Sequence, residues 1–267
     1  MQQRVISRWA LRLFIAIVFP ASGFCAAVAP YNTNGFELTR FHVGLLNNTQ
    51  DVASGANWQT SAATGTAAQV TTFNDLSQGV AVSMNDVAAG DGSYWWPQVP
   101  ISPGSGVVSI KWAMFVTSGA PGFVTEGDPF FGISAFDQLG NRIASAGINA
   151  ANGALAISDS SSSTSEFANL FTDALNTWHN YELDLNFGDS TFHIFVDGTE
   201  KGTGFGFVAA STDFGDADIN AFGLTNPLQT TGLAYFDNYV VSVPEPSMFM
   251  IVASGLAAAL RHRRATK

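Results

Sequence analysis

The stretch "WHNYELDLNFGDSTFHIFVDGTEKG", residues 178–202, decides the fold. Tyr181, Leu183, Leu185 and Phe187 alternate with polar residues, and Phe192, Ile194 and Val196 do the same after Gly188, Asp189 and Ser190. A period of two puts alternate side chains on one face of a pleated strand, so the pattern predicts two half-buried strands folded into a hairpin. A slip of one residue would turn every apolar side chain outward, so the loop must hold an even number of residues. Two residues, Gly188-Asp189, would set His193 across from Asp184; four would set it across from Asn186. Asp197-Gly198 reads as the next tight turn.

The same period recurs outward from this hairpin. In "GVVSIKWAMFV", residues 106–116, Val108, Ile110, Trp112, Met114 and Val116 share a face, while Ser109 and Lys111 point the other way. Short strands are also readable at Gly79 to Met84, Phe130 to Phe136 and Leu233 to Val241, separated by Gly and Asn/Asp punctuation. The expectation is an all-β, antiparallel two-sheet sandwich. One helix is expected inside it. Ser163 and Glu166 have capping-box spacing, and Phe167, Leu170, Phe171, Ala174 and Leu175 fall on one helical face.

The two ends read differently. Arg4, Arg8 and Arg12 precede the apolar run Leu13 to Phe19 and then small residues, the layout of a secretory signal helix over 1–27, with cleavage after Ala27. That cut removes Cys25, the only cysteine, so no disulfide can staple the body. At the other end Pro244, Glu245 and Pro246 precede a short apolar segment closed by Arg261, Arg263 and Arg264. A helix over Ser247 to Leu260 would span only ~21 Å at ~1.5 Å per residue, short of the ~30 Å hydrocarbon core, and the basic tail should stay on the cytoplasmic side.

Residues 243–264 resemble the PEP-CTERM sorting signal of Gram-negative bacteria that make exopolysaccharide. The resemblance implies export through the inner membrane, transient contact with that membrane, recognition by an exosortase-type sorting protease, cleavage near Pro244-Glu245-Pro246, and delivery to the cell surface or extracellular matrix. A second resemblance covers the body. "NTWHNYELDLNFGDSTFHIFVDG", "DINAFGL" and "AYFDNYVVS" are similar to concanavalin A-like, laminin-G-like jelly rolls, which implies two curved antiparallel sheets over residues 28–242. That fold carries lectins, hydrolases, lyases and spacers alike, so it does not fix an activity.

Charge narrows the partners. Residues 30–242 hold four basic and 20 acidic side chains, a net of −16. Such a body repels nucleic acid and anionic membrane surfaces; neutral sugars and divalent cations escape that repulsion.

Candidate chemistry is sparse. Glycoside hydrolases of this fold often place catalytic carboxylates as Glu-x-Asp-x-x-Glu or Glu-x-Asp-x-Glu. Here Glu182 and Asp184 are present, but Asn186 and Phe187 occupy the closing positions, so the pair reads as the wet face of a strand. Asp216, Asp218 and Asn220, joined by Asp237 from the last strand, form an oxygen-rich set suited to Ca²⁺. The EF-hand reading of that segment fails at Ala221 and Pro227. His42, His179 and His193 lack metal-ligand spacing, and His179 has core parity. "SYWWPQVP" places Tyr94, Trp95 and Trp96 in a loop where, with Trp58, flat rings could stack on sugars; the alternative is that one or two of them plug the end of the sandwich. These features together predict an exported, non-catalytic protein that binds or associates with extracellular polysaccharide. The alternatives are a polysaccharide hydrolase or lyase of the same fold, and a purely structural matrix protein.

Overall fold

The computed structural model describes residues 31–243, apart from 74–76, 89–90, 99–105, 121–122, 126, 161–167, 173–174 and 225–229. Two antiparallel sheets face each other. The larger runs, in spatial order, β16 (Thr199–Gly206), β15 (Thr191–Val196), β14 (Trp178–Asn186), β7 (Val107–Val116), β18 (Thr230–Ser242), β5 (Gln78–Val87), β4 (Thr66–Thr72) and β2 (Gly44–Leu45), with β1 (Tyr31–Asn32) also paired to β18. The smaller runs β13 (Ala168–Thr172), β12 (Ala154–Ser158), β11 (Arg142–Asn149), β10 (Pro129–Phe136), β17 (Asp216–Gly223), β6 (Gly92–Pro97) and β3 (Trp58–Ser61). A minor ribbon pairs β8 (Gly119–Ala120) with β9 (Phe123–Val124). The result is an all-β sandwich with long crossovers, a jelly-roll arrangement.

Alternation builds the core as expected. Val108, Ile110, Trp112, Met114 and Val116 of β7, with Leu183 and Leu185 of β14, meet Ile133, Ala135, Ile219 and Ala221 of the opposite sheet, all of them buried. The Tyr239 hydroxyl crosses the interior to donate to the Ala217 carbonyl at 2.6 Å, satisfying a buried polar group while tying the two sheets together. The hairpin takes the first of its two registers: Asp184 faces His193 and Asn186 faces Thr191, with residues 187–190 turning the chain.

Two expectations need correction. Residues 168–172 form strand β13 rather than the middle of a helix, pairing Leu155 with Phe171 and Ala154 with Thr172 across the edge of the smaller sheet. Strand β12 would otherwise leave a row of edge amides and carbonyls unpaired, and satisfying that ladder outweighs a weak local preference. Ser163 and Glu166 lie outside the described residues. The "SYWWPQVP" segment is not a loop either: Gly92–Pro97 is strand β6, between β17 and β3.

Trp58 and Trp95 turn inward, 1% and 2% exposed. Trp58 packs at one end of the sandwich against Phe36, Tyr31 and Tyr239, with ring centroids 5.7, 6.5 and 5.7 Å away. Neither indole can offer a face to a ligand; both belong to the core between the sheets. The signal segment with Ala27, the Pro244-Glu245-Pro246 motif, Arg261, Arg263, Arg264 and both expected terminal helices lie outside the described residues. Among the described residues no helix is long and apolar enough to cross a membrane.

Candidate functional site: an aromatic groove on the larger sheet

The outward parity of the larger sheet assembles a site the core pattern conceals. Trp178, Phe115 and Tyr235 are directly opposed on adjacent strands β14, β7 and β18, each one residue out of phase with the buried set. Phe73, just beyond β4, closes the group. Its ring lies 5.7 Å from Trp178 and 5.6 Å from Tyr235, while Phe115 lies 5.8 Å from Trp178 and 6.1 Å from Tyr235. Gly79 makes room for it, since a Cβ there would come within 2.6 Å of the Phe73 ring. Trp178 is 42% exposed, an apolar face open to solvent beside the rings of Phe73 and Phe115.

Beyond the rings the next outward row is Asn180, Ala113 and Asp237, in register across the same three strands. The small Ala113 leaves a depression. The four aromatics, Asn180, Asp237, Asn238, Thr71, Thr72 and Ser77 border a cavity of about 720 Å³, within the ~300–1,000 Å³ usual for ligand clefts. Apolar faces beside amides, hydroxyls and a carboxylate suit a ligand with both C–H faces and hydroxyl edges.

A second, smaller cavity of about 250 Å³ continues along the strands and is bordered by Lys111, Glu182, Asn180 and Asn238. Lys111 Nζ stands 2.8 Å from Glu182 Oε1, and Ser109 Oγ donates to the same oxygen at 2.9 Å. Burial opposes ionisation of Glu182, but the lysine and the hydroxyl outweigh it and hold the carboxyl below its ordinary value. Asp184, one row further, goes the other way: burial first, then the Glu182 charge, push it up against the Ser109 hydroxyl. The pair is therefore half-buried rather than freely wet. His193 Nδ1 is engaged by Glu200 Oε1 at 2.7 Å. His179, at core parity as expected, is held by Asp197 Oδ2 at 2.7 Å.

Of the residues singled out in the sequence for sugar stacking, only Tyr94 and Trp96 remain on an outer face, that of the smaller sheet; Trp58 and Trp95 are in the core. The groove aromatics were present in the sequence as Phe115, Trp178 and Tyr235 at the outward positions of strands whose inward positions were already assigned. Reading the second parity would have found them; Phe73, outside the strands, gave no such signal.

The expected calcium set is not assembled. Asp216, Asp218 and Asn220 face outward from β17 of the smaller sheet, since Ala217, Ile219 and Ala221 between them are core residues. Asp237 faces outward from β18 of the larger sheet, on the opposite side of a sandwich whose sheets pack ~10 Å apart. Among the described residues no three His, Cys, Asp or Glu side chains converge on a metal position. Nor do the β17 acids sit in water: Asp218 is 5% exposed. Burial, followed by the charge of Asp216, pushes Asp218 up to about 9, so it is protonated at neutral pH. Asn220 donates to Ser134, whose hydroxyl meets that of Ser145.

Residues 242–264 match the PEP-CTERM protein-sorting motif. This motif implies export, processing by an exosortase and sorting to the cell surface of a Gram-negative bacterium. No curated protein matches the chain's sequence. Among solved structures, the chain is similar to a sialidase at TM-score 0.53 and 11% identity, covering 79% of this chain but only 19% of that one. It is also similar to the cellulose induced protein Cip1 (TM-score 0.50, 16% identity, 72% of this chain and 95% of that one). The alginate lyase AlgAT5 of polysaccharide lyase family 7 gives TM-score 0.50 at 14% identity, covering 78% and 95%. At such identities the likeness shows a shared jelly-roll fold.

Proposed function

We propose that this exported, sorted protein binds extracellular polysaccharide in the groove formed by Phe73, Phe115, Trp178 and Tyr235, and carries out no catalysis of its own. The observation that supports it is the in-register row Trp178, Phe115 and Tyr235, half-open to solvent beside a polar depression. Aromatic faces stack on the C–H faces of sugar rings, while Asn180, Asp237 and Asn238 meet hydroxyls. Delivery to the cell surface by the C-terminal motif puts such a groove where polysaccharide is abundant. Mobility of the full chain in gels containing soluble polysaccharides tests it. Retardation should be lost in Trp178→Ala and kept in Trp96→Ala; equal retardation of both variants refutes the groove.

A hydrolytic reading draws on the split between Glu182, held ionised, and Asp184, pushed toward its protonated form, the pattern of an acid–base pair. Against it, Glu182 is engaged by Lys111 and Ser109, and Asn186 and Phe187 stand where a further carboxylate would belong. Release of reducing ends by the native chain, abolished in Glu182→Gln, would establish this second reading instead.

A further inference from the structure

Resting on the polysaccharide reading of the groove, we infer that its ligand is an uncharged, hydroxyl-rich glycan and not a uronate or other acidic polymer. The larger cavity is bordered, among the described residues, by one carboxylate, Asp237, and by no lysine, arginine or histidine. The smaller cavity brings the one cation that borders the tract among the described residues, Lys111, and its ammonium is taken by Glu182 at 2.8 Å. Asp184 continues the acidic run along β14, and Glu200, beside His193, lies across β15 in the same row as Glu182.

A sugar carboxylate entering this tract would lose hydration and find Asp237 and Glu182 where it needs a guanidinium or ammonium. Recognition of carboxylates normally requires such a partner, because an unpaired buried charge is costly. The net charge of −16 on residues 30–242 adds a long-range repulsion that keeps acidic polymers at a distance at low ionic strength. Hydroxyls face the reverse situation: the Asp237 carboxylate, which already accepts from the Asn238 amide at 2.7 Å, has lone pairs for further O–H donors, and Asn180 and Asn238 supply both donors and acceptors.

The tract has the dimensions of a chain ligand. Trp178 and Glu182 lie on one strand four residues apart, about 14 Å, so a polymer running parallel to β14 would stack on the rings at one end and meet the Lys111–Glu182 pair at the other. Ring stacking and hydroxyl bonding are both insensitive to ionic strength.

The test is titration calorimetry of the full chain with two sets of probes at 20 and 500 mM NaCl: dextran, galactomannan and hydroxyethylcellulose as neutral polymers, alginate and polygalacturonate as acidic ones. At least one neutral polymer should bind with an affinity that changes less than about twofold between the two salts, and Trp178→Ala should weaken it about tenfold or more. Trp96→Ala, on the outer face of the smaller sheet, should leave neutral binding within about twofold. Binding confined to the acidic polymers and lost in Trp178→Ala would overturn the inference while keeping the groove as a polysaccharide site. Binding of any polymer that survives Trp178→Ala unchanged, or of none of the five, would overturn the groove reading as well. The exposed position of Trp178 lets an unchanged melting temperature establish that the variant is folded.

Discussion

Trp178 and Phe115 stand directly opposite each other across β14 and β7, their rings 5.8 Å apart and both turned away from the core. An aromatic cross-strand pair contributes stability of its own, roughly 0.2–1 kcal/mol, so its presence on a face does not by itself require a ligand. What separates this pair from a structural one is the company it keeps: Tyr235 extends it to a third strand, Phe73 closes it, and an open depression adjoins it.

A graded series on Trp178 follows. Trp178→Phe retains a stacking face and should cost polysaccharide binding only about threefold, whereas Trp178→Ala should cost about tenfold or more. Neither should lower the melting temperature by more than about 3 °C, because the ring is only half covered. Gel mobility and thermal melts of the same samples separate the two effects.

Asp218 gives the protein an alkaline sensitivity. Its folded value of about 9 lies above the ordinary carboxyl value, so the folded state keeps a proton that the unfolded chain releases. Stability from this group is therefore intact below about pH 4 and declines as pH rises toward 9. Asp218→Asn should raise the melting temperature at pH 8 by several degrees, a gain of about 1–3 kcal/mol, and leave it unchanged at pH 4. Melting curves at the two values check the sign.

Arg40 and Asp51 form a bidentate pair at the N-terminal side of the sandwich, with Asp51 fully buried. Burial opposes the Asp51 charge, but the guanidinium, the Ser54 hydroxyl and the Ala53 amide outweigh it and hold its carboxyl below the ordinary range. Arg40→Met strands that carboxylate and should destabilise the fold by about 3 kcal/mol at pH 7. The native advantage is present above the unfolded carboxyl value and fades as pH falls through the folded one, so the gap should narrow below about pH 4. Urea titrations at pH 7 and pH 3.5 measure both.

Gly132 and Gly147 face each other across β10 and β11. A Cβ on Gly147 would come within 2.2 Å of the Phe131 carbonyl oxygen and 2.6 Å of the Gly132 Cα, backbone atoms that cannot step aside. Gly147→Ala should destabilise the protein by about 2 kcal/mol, read as a lower urea midpoint with unchanged slope.

How much of this was legible varies by element. The hairpin at residues 178–202 was, because its two strands have one wet face and one dry one, and period two states which is which. Its register was narrowed to two, and the pairing of Asp184 with His193 decides between them. Strand β13 was not legible: Phe167, Leu170, Phe171 and Leu175 fit a helical face, and only the open edge of β12, a tertiary fact, decides otherwise. Trp95 misled because a Trp-Trp-Pro run between glycine and proline looks like a loop, although alternation with Tyr94 and Trp96 was already in the text. The calcium set failed for a reason no local pattern carries, since Asp218 and Asp237 belong to different sheets. The groove was half written: outward parity gives Phe115, Trp178 and Tyr235, but only strand order makes them neighbours.

The most direct measurement is oxidative footprinting of the tryptophans in the presence of a bound neutral polysaccharide, read residue by residue by mass spectrometry. Trp178 should be oxidised in the free protein and protected by the polymer, with Trp96 equally reactive in both states and Trp58, Trp95 and Trp112 inert throughout. Oxidation of Trp178 at the same rate with and without polymer, or protection centred on Trp96, would contradict a sugar-binding groove on the larger sheet.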